Sequence, residues 1–380
     1  MLIIKGADVY APEHLGVMDV MVCGGKIEKM DRDIPVCYED SQVIDGRGKI
    51  LAPGIIDQHV HLTGGGGEGS FHTRAPEASL SELIRGGVTT VVGLLGTDGI
   101  TRSVENLLAK VKALREEGIT AFCLTGSYGW PSVTITGDTK KDIVFISEIL
   151  GLKLAISDHR APNISVDQLI RAASDVRVAG MLSGKPGIVT LHMGDDPRGL
   201  EPVFEALDRT SIPIKTFRPT HVARNWDLYE QALKFAAMGG YIDITCDCGP
   251  DKEVAEALRR AEKAGADFER LTLSSDGQGS WSDYDEEGNL VRIGVSSVSA
   301  VYRQITELVK EEGMELEKVL PLATSNPART LEFSEKGHIR RGADGDILLI
   351  NRETLALDMV LSMGRIMMEN GEVTVRGTFE

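Results

Sequence analysis

The sequence predicts an α/β fold: a TIM (β/α)8 barrel with a small β-sandwich domain built from both termini. Between residue 55 and about residue 313, apolar β-branched runs alternate with longer segments of helical period. Eight such β/α units in succession are typical of a TIM barrel. On either side of this region, short alternating segments are separated by Gly-Gly and Asp-Gly turns, as in antiparallel strands.

The predicted barrel strands follow one another at regular intervals. They cover residues 55–61, 88–95, 119–125, 152–157, 188–193, 213–221, 241–246 and 271–276. Segments such as S-V-E-N-L-L-A-K-V-K-A-L-R-E-E-G separate most of them, and the closing glycine indicates a helix end. We therefore divide the chain into an N-terminal sandwich part (1–51), the barrel (52–334) and a C-terminal sandwich part (335–380).

Composition limits the classes of partner. The 380 residues carry a formal net charge of -16, which argues against nucleic acid or an acidic membrane as partner. No stretch approaches the roughly 20 apolar residues of a membrane span, and the start has no secretion signal, so we expect a cytoplasmic protein. The five scattered cysteines do not form a disulfide framework. The role of the Cys246 and Cys248 pair stays open, since no second pair would complete a thiolate site.

Two histidines at the end of the first predicted strand are candidate metal ligands. His59 and His61 stand two residues apart in D-Q-H-V-H-L, so both side chains would project to the same face. An isolated H-x-H is more often a strand end with two half-buried histidines. The barrel decides between these interpretations, because catalytic groups in this fold lie at the carboxyl ends of strands.

Four further residues fall on the same predicted rim. Lys153 lies in the fourth strand, His192 and His221 end the fifth and sixth, and Asp276 ends the eighth. Four of only eight histidines at strand ends of one face favours a metal centre over core packing.

Lys153 is the unusual member of this set. An ammonium group cannot bind a cation, and a bare lysine inside a barrel is unfavourable unless it is neutralised or paired. Carbamylation by CO2 would convert the side chain into a carboxylate that bridges two metals. The alternatives are a lysine that extends to the barrel mouth or pairs with Asp158.

These residues resemble the metal-binding pattern of the binuclear amidohydrolase superfamily, and further motifs resemble the isoaspartyl dipeptidases nearly end to end. The motifs are G-G-G-G-E, V-V-G-L-L-G-T-D, L-T-G-S-Y, A-I-S-D-H-R, H-M-G-D, P-T-H-V-A-R-N, L-S-S-D-G-Q-G-S and the closing R-G-T-F-E. The resemblance implies hydrolysis of β-aspartyl dipeptides by two zinc ions per subunit. One zinc would bind His59, His61 and Asp276, the other His192 and His221, with carbamylated Lys153 bridging them. Asp276 would also be the general base.

The resemblance also assigns residues to the substrate. Glu68 would pair with the free amine, and Gly66, Gly67, Thr97 and Ser280 would donate hydrogen bonds to the α-carboxylate. Tyr128 would donate to the developing oxyanion, whereas Arg160 and Arg224 would hold the far carboxylate. The glycine run is otherwise a turn, and the two arginines are otherwise ion-pairing residues of the rim.

Three rival functions use the same scaffold. A cyclic-amide hydrolase would leave Glu68 without a task, because its substrates lack a free amine. A mononuclear deaminase would not need Lys153, and a non-catalytic assembly protein would be expected to have lost ligands. The expected partner is thus a small dipeptide, and the resemblance implies a homo-oligomer such as an octamer.

Overall fold

The computed structural model describes residues 1–36, 41–246 and 254–380, so Cys37 and Cys248 lie outside the described residues. Five strands precede the barrel. They are β1 (Leu2–Tyr10), β2 (His14–Cys23), β3 (Lys26–Asp31), β4 (Gln42–Asp45) and β5 (Lys49–Pro53).

Eight parallel strands follow and form the barrel sheet. They are β6 (Ile55–Val60), β7 (Val88–Gly93), β8 (Thr120–Gly126), β9 (Ile149–Ile156), β10 (Ile188–Met193), β11 (Phe217–Thr220), β12 (Ile242–Thr245) and β13 (Leu271–Ser274). Each strand pairs with the next in chain order. The first and last strands meet where the His61 N–H donates to the Gly277 carbonyl at 2.8 Å. The predicted barrel is confirmed.

The predicted sixth strand is shorter than expected. It was predicted over residues 213–221, but only Phe217–Thr220 is extended. A 3-10 turn at Ile214–Thr216 precedes it, and His221 adopts the left-handed conformation that ends it. The apolar run at 213–221 therefore contains a turn that hydrophobic pattern alone does not predict.

Helices cover the outside of the barrel. They are α1 (Leu80–Arg85), α2 (Val104–Glu117), α3 (Thr139–Phe145), α4 (Val166–Ser183), α5 (Glu201–Arg209), α6 (Trp226–Ala237), α7 (Val254–Lys263), α8 (Ala300–Lys310), α9 (Leu316–Val319) and α10 (Ser325–Thr330). Helix α2 begins where the Ser103 side chain accepts from the Asn106 N–H, and it ends at left-handed Gly118, as predicted. Of the helices in the described ranges, none combines the length and apolar character needed to span a bilayer.

An antiparallel hairpin follows the last barrel strand and is not predicted from the sequence. Its strands are β14 (Ser280–Tyr284) and β15 (Leu290–Val295), which pair only with each other. It begins at Ser280, six residues after β13 ends, and so lies beside the carboxyl-end rim.

Both termini build one mixed sheet of nine strands, which confirms the predicted second β unit. Its C-terminal strands are β16 (Ile347–Asn351), β17 (Leu357–Ser362), β18 (Arg365–Glu369) and β19 (Glu372–Val373). The two parts of the chain join where β5 pairs with β16 in antiparallel register. In β16, Ile347 and Leu349 enter the sheet's own core, whereas Leu348 and Ile350 pack into the barrel core. Because alternate side chains of β16 point to opposite faces, this one strand packs against both cores and joins the sheet to the barrel.

Candidate metal centre

The six predicted ligands converge at the carboxyl-end rim of the barrel. His59, Lys153 and His192 lie in β6, β9 and β10, and His61, His221 and Asp276 follow the ends of β6, β11 and β13. All six are buried, and Lys153 is fully so. Burying any one of these polar side chains without a partner would be unfavourable in free energy.

Two of these residues have an unusual backbone. His221 has φ 60° and Asp276 has φ 53°, which is the left-handed region that residues with a Cβ seldom adopt. Strain of this kind persists where the surrounding structure imposes it and is concentrated at functional sites. In both cases it turns the chain at the strand end and leaves the side chain at the rim.

The distances among the six side chains are short. Lys153 Nζ lies 3.0 Å from His59 Nε2, and Asp276 Oδ1 lies 3.4 Å from His59 Nε2 and 3.0 Å from His61 Nε2. Potential ligand atoms of His59, His221 and Asp276 all lie within 4.8 Å of one another. The rings of His192 and His221 have centroids 4.7 Å apart. The group is compact enough to surround metal ions.

Hydrogen bonds hold two of the imidazoles from behind. His221 Nδ1 lies 2.7 Å from Thr245 Oγ1, and His192 Nε2 lies 3.0 Å from Asp158 Oδ2. The contact with Thr245 occupies Nδ1 of His221 and leaves its Nε2 available, whereas the contact with Asp158 occupies Nε2 of His192. A partner on the second nitrogen is the usual way in which a protein orients a metal-binding histidine.

Several polar atoms of the centre have no hydrogen-bond partner among the described residues. They are His59 Nδ1, His61 Nδ1 and Asp276 Oδ1. A buried carboxylate oxygen that makes no hydrogen bond is unfavourable by about 1–3 kcal/mol, and near Asp276 Oδ1 lie the ring nitrogens of His61 and His59. Imidazole nitrogens, a carboxylate and a modifiable lysine are a donor set that suits zinc. The residues present therefore fit a metal centre.

Burial controls the protonation states at this site. It lowers the pKa values of His59, His192 and His221 well below the usual histidine range, so these rings are neutral, as a metal ligand requires. Burial likewise lowers the pKa of Lys153 to about 7. A neutral amine is the form that reacts with CO2. Among the described residues Lys153 makes no carboxylate contact, and Asp158 pairs elsewhere.

Asp158 links the candidate metal ligands to the two arginines predicted to bind a substrate carboxylate. Besides His192 it accepts two hydrogen bonds from the Arg160 guanidinium, both at 2.9 Å, and Arg224 Nη1 lies 3.7 Å away. Burial would raise the pKa of Asp158, but the hydrogen bonds from His192 and Arg160 outweigh it and keep the pKa below its usual range. Both arginines thus lie at the rim around one shared carboxylate.

Tyr128 follows β8 and reaches the same centre. Its hydroxyl lies 2.5 Å from His192 Nδ1, and Arg160 lies over its ring at 5.6 Å. Burial raises the pKa of Tyr128, so the phenol remains protonated and can donate a hydrogen bond.

Glu68 lies in a recess beside the candidate metal ligands and contacts several of the predicted substrate residues. Ser280 Oγ donates to both carboxylate oxygens of Glu68 at 2.9 and 3.0 Å, and Thr97 Oγ1 donates at 3.3 Å. Arg160 Nη1 is 3.5 Å from the same carboxylate. The two hydroxyls predicted to face a substrate carboxylate therefore donate to Glu68 here.

The glycine loop has one uncommitted donor. The N–H groups of Gly64, Gly65 and Gly67 donate to backbone carbonyls, whereas that of Gly66 has no acceptor among the described residues. At Gly66, φ is 77° and a Cβ would lie 2.3 Å from the Thr73 carbonyl oxygen. A side chain is therefore excluded at Gly66, and its N–H is free for a ligand.

The rim opens to solvent through a cleft with a volume of about 90 Å³. Its walls include residues from the metal centre, the arginine pair and the β14–β15 hairpin: His221, Asp276, Arg160, Arg224, Ser280 and Trp281.

Sequence reasoning missed the roles of Thr245 and Arg102. Thr245 is the last residue of β12, and its place at the end of a barrel strand could have identified it as a rim residue. Arg102 is a buried arginine beside the glycine loop, and a lone arginine before a helix start carries no signal of burial.

Comparisons with known proteins agree with this geometry. The family model described as "Amidohydrolase family" matches residues 50–374. An allantoinase of Enterococcus faecalis is 24% identical over 413 aligned positions, which cover 92% of this chain and 86% of that protein.

Two solved structures are similar over the whole length. One is the β-aspartyl dipeptidase of the thermophilic keratin-degrading Fervidobacterium islandicum AW-1 in complex with the dipeptide β-Asp-Leu. It is 44% identical, with a TM-score of 0.94 and 98% of each chain covered. The other, a β-aspartyl dipeptidase from the same organism, is 42% identical, with a TM-score of 0.91 and 98% of each chain covered.

Proposed function

The chain belongs to the amidohydrolase family, and from this premise we propose that it hydrolyses the isopeptide bond of β-aspartyl dipeptides. One observation carries the substrate class: Glu68 lies in a recess beside the six-residue centre, where an ammonium group could pair with it. The similarity to β-aspartyl dipeptidases at 42–44% identity supports the same assignment. A β-aspartyl dipeptide has its free amine close to the scissile amide, as this arrangement requires.

We assign two zinc ions to the centre. His59, His61 and Asp276 would hold one, and His192 and His221 the other, with Lys153 bridging as a carbamate. When bound, two such ions supply activation of water at neutral pH and polarisation of the scissile carbonyl. The Asp276 oxygen that makes no hydrogen bond and the fully buried Lys153, whose pKa burial lowers to about 7, support this assignment.

The protein's own groups then move the proton and hold the charge. Asp276 takes the proton of the attacking water and delivers it to the nitrogen of the leaving residue. Tyr128, kept protonated by burial, donates a hydrogen bond to the carbonyl oxygen as negative charge develops there. Because Asp276 touches His61 and His59, its carboxylate stays oriented towards the reacting atoms.

Different residues hold the two ends of the substrate. Glu68 pairs with the ammonium group, and the free N–H of Gly66 donates to the α-carboxylate beside it. Arg160 and Arg224 hold the carboxylate of the leaving residue, since a guanidinium group binds a carboxylate through two parallel hydrogen bonds. In this proposal Thr97 and Ser280 orient Glu68, and Gly67 shapes the loop.

A substrate screen with metal analysis tests the proposal. The purified protein should contain two metal ions per chain and should cleave β-Asp-Leu in preference to α-Asp-Leu. It should not open dihydroorotate or hydantoin rings, which lack the amine that Glu68 would bind. Faster turnover of a cyclic amide than of β-Asp-Leu would overturn the assignment in favour of a cyclic-amide hydrolase. A homo-oligomeric state and a cytoplasmic location remain predictions.

A further inference from the structure

Arg102 is a buried cation attached to the glycine loop. It precedes helix α2, and only 7% of its surface is exposed. Its guanidinium donates to the carbonyl oxygens of Gly65 and Ala75, both at 3.0 Å, and to that of Thr63. One side chain thus fixes both segments that flank the loop.

The charge of Arg102 is not neutralised by an ion pair among the described residues. Asp98 pairs with Arg74 at 3.0 Å, and Glu77 lies 3.5 Å from Lys110. Arg102 Nε is buried and has no hydrogen-bond partner. Because an arginine does not lose its proton in a protein, a full positive charge stands here.

This charge borders the recess that contains Glu68. The lining includes Arg102, Gly65, Gly66, Glu68, Thr97 and Tyr128. The free N–H of Gly66 belongs to the loop that Arg102 fixes. A carboxylate entering this recess would be repelled by Glu68 unless a nearby positive charge offset that repulsion.

We propose that Arg102 is a positioning residue that makes this recess selective for an α-carboxylate beside the ammonium group. This inference rests on the proposed function. Arg102 orders the loop that presents the Gly66 N–H, and it adds a positive charge at the recess to that of Arg160, whose Nη1 lies 3.5 Å from the Glu68 carboxylate. The ammonium and the carboxylate of a β-aspartyl group then each meet an opposite charge in a small space.

Two substrates isolate the effect. β-Asp-Leu and β-Ala-Leu differ only in the α-carboxylate, so the ratio of their kcat/KM values measures how strongly that group is recognised. In Arg102→Gln the ratio should fall roughly 10- to 100-fold, the size expected for a charge acting over several ångströms at an effective dielectric near 20. Arg102→Lys should retain most of the ratio, because it keeps the charge, although both substrates lose rate as the loop loosens.

Arg218 provides a matched control. It is also buried, donates to three backbone carbonyls and has an unpartnered Nε, but it does not line the recess. Arg218→Gln should lower the melting temperature and leave the substrate ratio unchanged. If Arg102 were only structural, its Gln variant would behave in the same way.

The outcomes separate the two proposals. A wild-type protein that does not cleave β-Asp-Leu overturns the proposed function and this inference with it. An active wild type whose ratio is the same in Arg102→Gln overturns this inference alone. If Arg102→Gln does not fold, the Lys variant decides. Arg102→Lys keeps the charge, so a complete loss of the preference for β-Asp-Leu over β-Ala-Leu in this variant would exclude a role for charge.

Discussion

Two buried polar clusters lie within the barrel, and they differ in how fully their hydrogen bonds are made. The floor cluster consists of Asp243, Gln58, Thr220, Thr272 and Ser274. Asp243 accepts hydrogen bonds from all four partners at 2.6–2.8 Å, so both of its oxygens are satisfied. The rim cluster consists of the six candidate ligands, and there His59, His61 and Asp276 each keep a buried atom without a partner.

The difference separates structure from function. A buried polar network in which every atom is satisfied rigidifies a core, whereas unmade bonds carry a free-energy penalty that something else must offset. Residues adjacent in the chain belong to different clusters: Gln58 and Thr220 lie in the floor cluster, whereas His59 and His221, which directly follow them, lie in the rim cluster. We therefore expect floor variants to change stability and rim variants to change activity.

Replacing Lys153 should break the rim cluster most severely. Lys153→Ala should hold fewer than two metal ions per chain and lose more than about a thousandfold in turnover, because the proposed metals each contribute several kcal/mol. Metal analysis and β-Asp-Leu hydrolysis would measure this, and added short carboxylates should partly restore activity. Lys336, a buried lysine paired with Asp344 and Asp346, is the control. Full metal content with unchanged turnover in Lys153→Ala would falsify the carbamate hypothesis.

Removing the Tyr128 hydroxyl should affect the transition state more than substrate binding. Tyr128→Phe should reduce kcat roughly 10²- to 10³-fold, the usual effect of losing one oxyanion donor. Tyr229→Phe is the matched control, because its buried hydroxyl donates to the Ala257 carbonyl at 2.7 Å, away from the rim. A change confined to KM in Tyr128→Phe would assign this residue to binding instead.

Glu68 extends the comparison to the substrate. Glu68→Gln should lower kcat/KM for β-Asp-Leu about 100-fold, or about 3 kcal/mol, because an unpaired buried ammonium is unfavourable. N-acetyl-β-Asp-Leu should be a very poor substrate of the unaltered protein. Glu148→Gln, which removes an acid paired with Lys112, should change neither value. Equal cleavage of acetylated and free dipeptides would contradict the isoaspartyl assignment.

The smallest effect on activity should come from the floor. Asp243→Asn places an amide donor against the four donors that now face a carboxylate, and the free energy of unfolding should fall by about 1–3 kcal/mol. Steady-state kinetics of the folded fraction should remain within roughly twofold of the wild type. A large loss of metal or turnover without loss of stability would mean that the floor cluster also serves the reaction.

The sequence predicts the barrel and the rim better than the details around them. Hydrophobic period and β-branching predict the eight strands, and the strand ends predict the positions of the six candidate ligands, because parallel strands share one edge. The β14–β15 hairpin escapes prediction, because apolar residues alternate in β15 (L-V-R-I-G-V) but not in β14 (S-W-S-D-Y). The hydroxyl partners of Glu68 and the burial of Arg102 escape it too. They depend on distances between residues such as Glu68 and Ser280 that are far apart in the chain.

The pairing of β5 with β16 has a consequence for biosynthesis. Strand β5 leads directly into the barrel, yet its partner β16 emerges from the ribosome only after the whole barrel has been made. At roughly 5–20 residues per second this leaves one side of β5 unpaired for tens of seconds. Exposed strand edges pair readily with other chains. A nascent chain stalled before Ile347 should therefore recruit chaperones or aggregate, and rapid amide exchange in β5 of that chain would reveal the open edge.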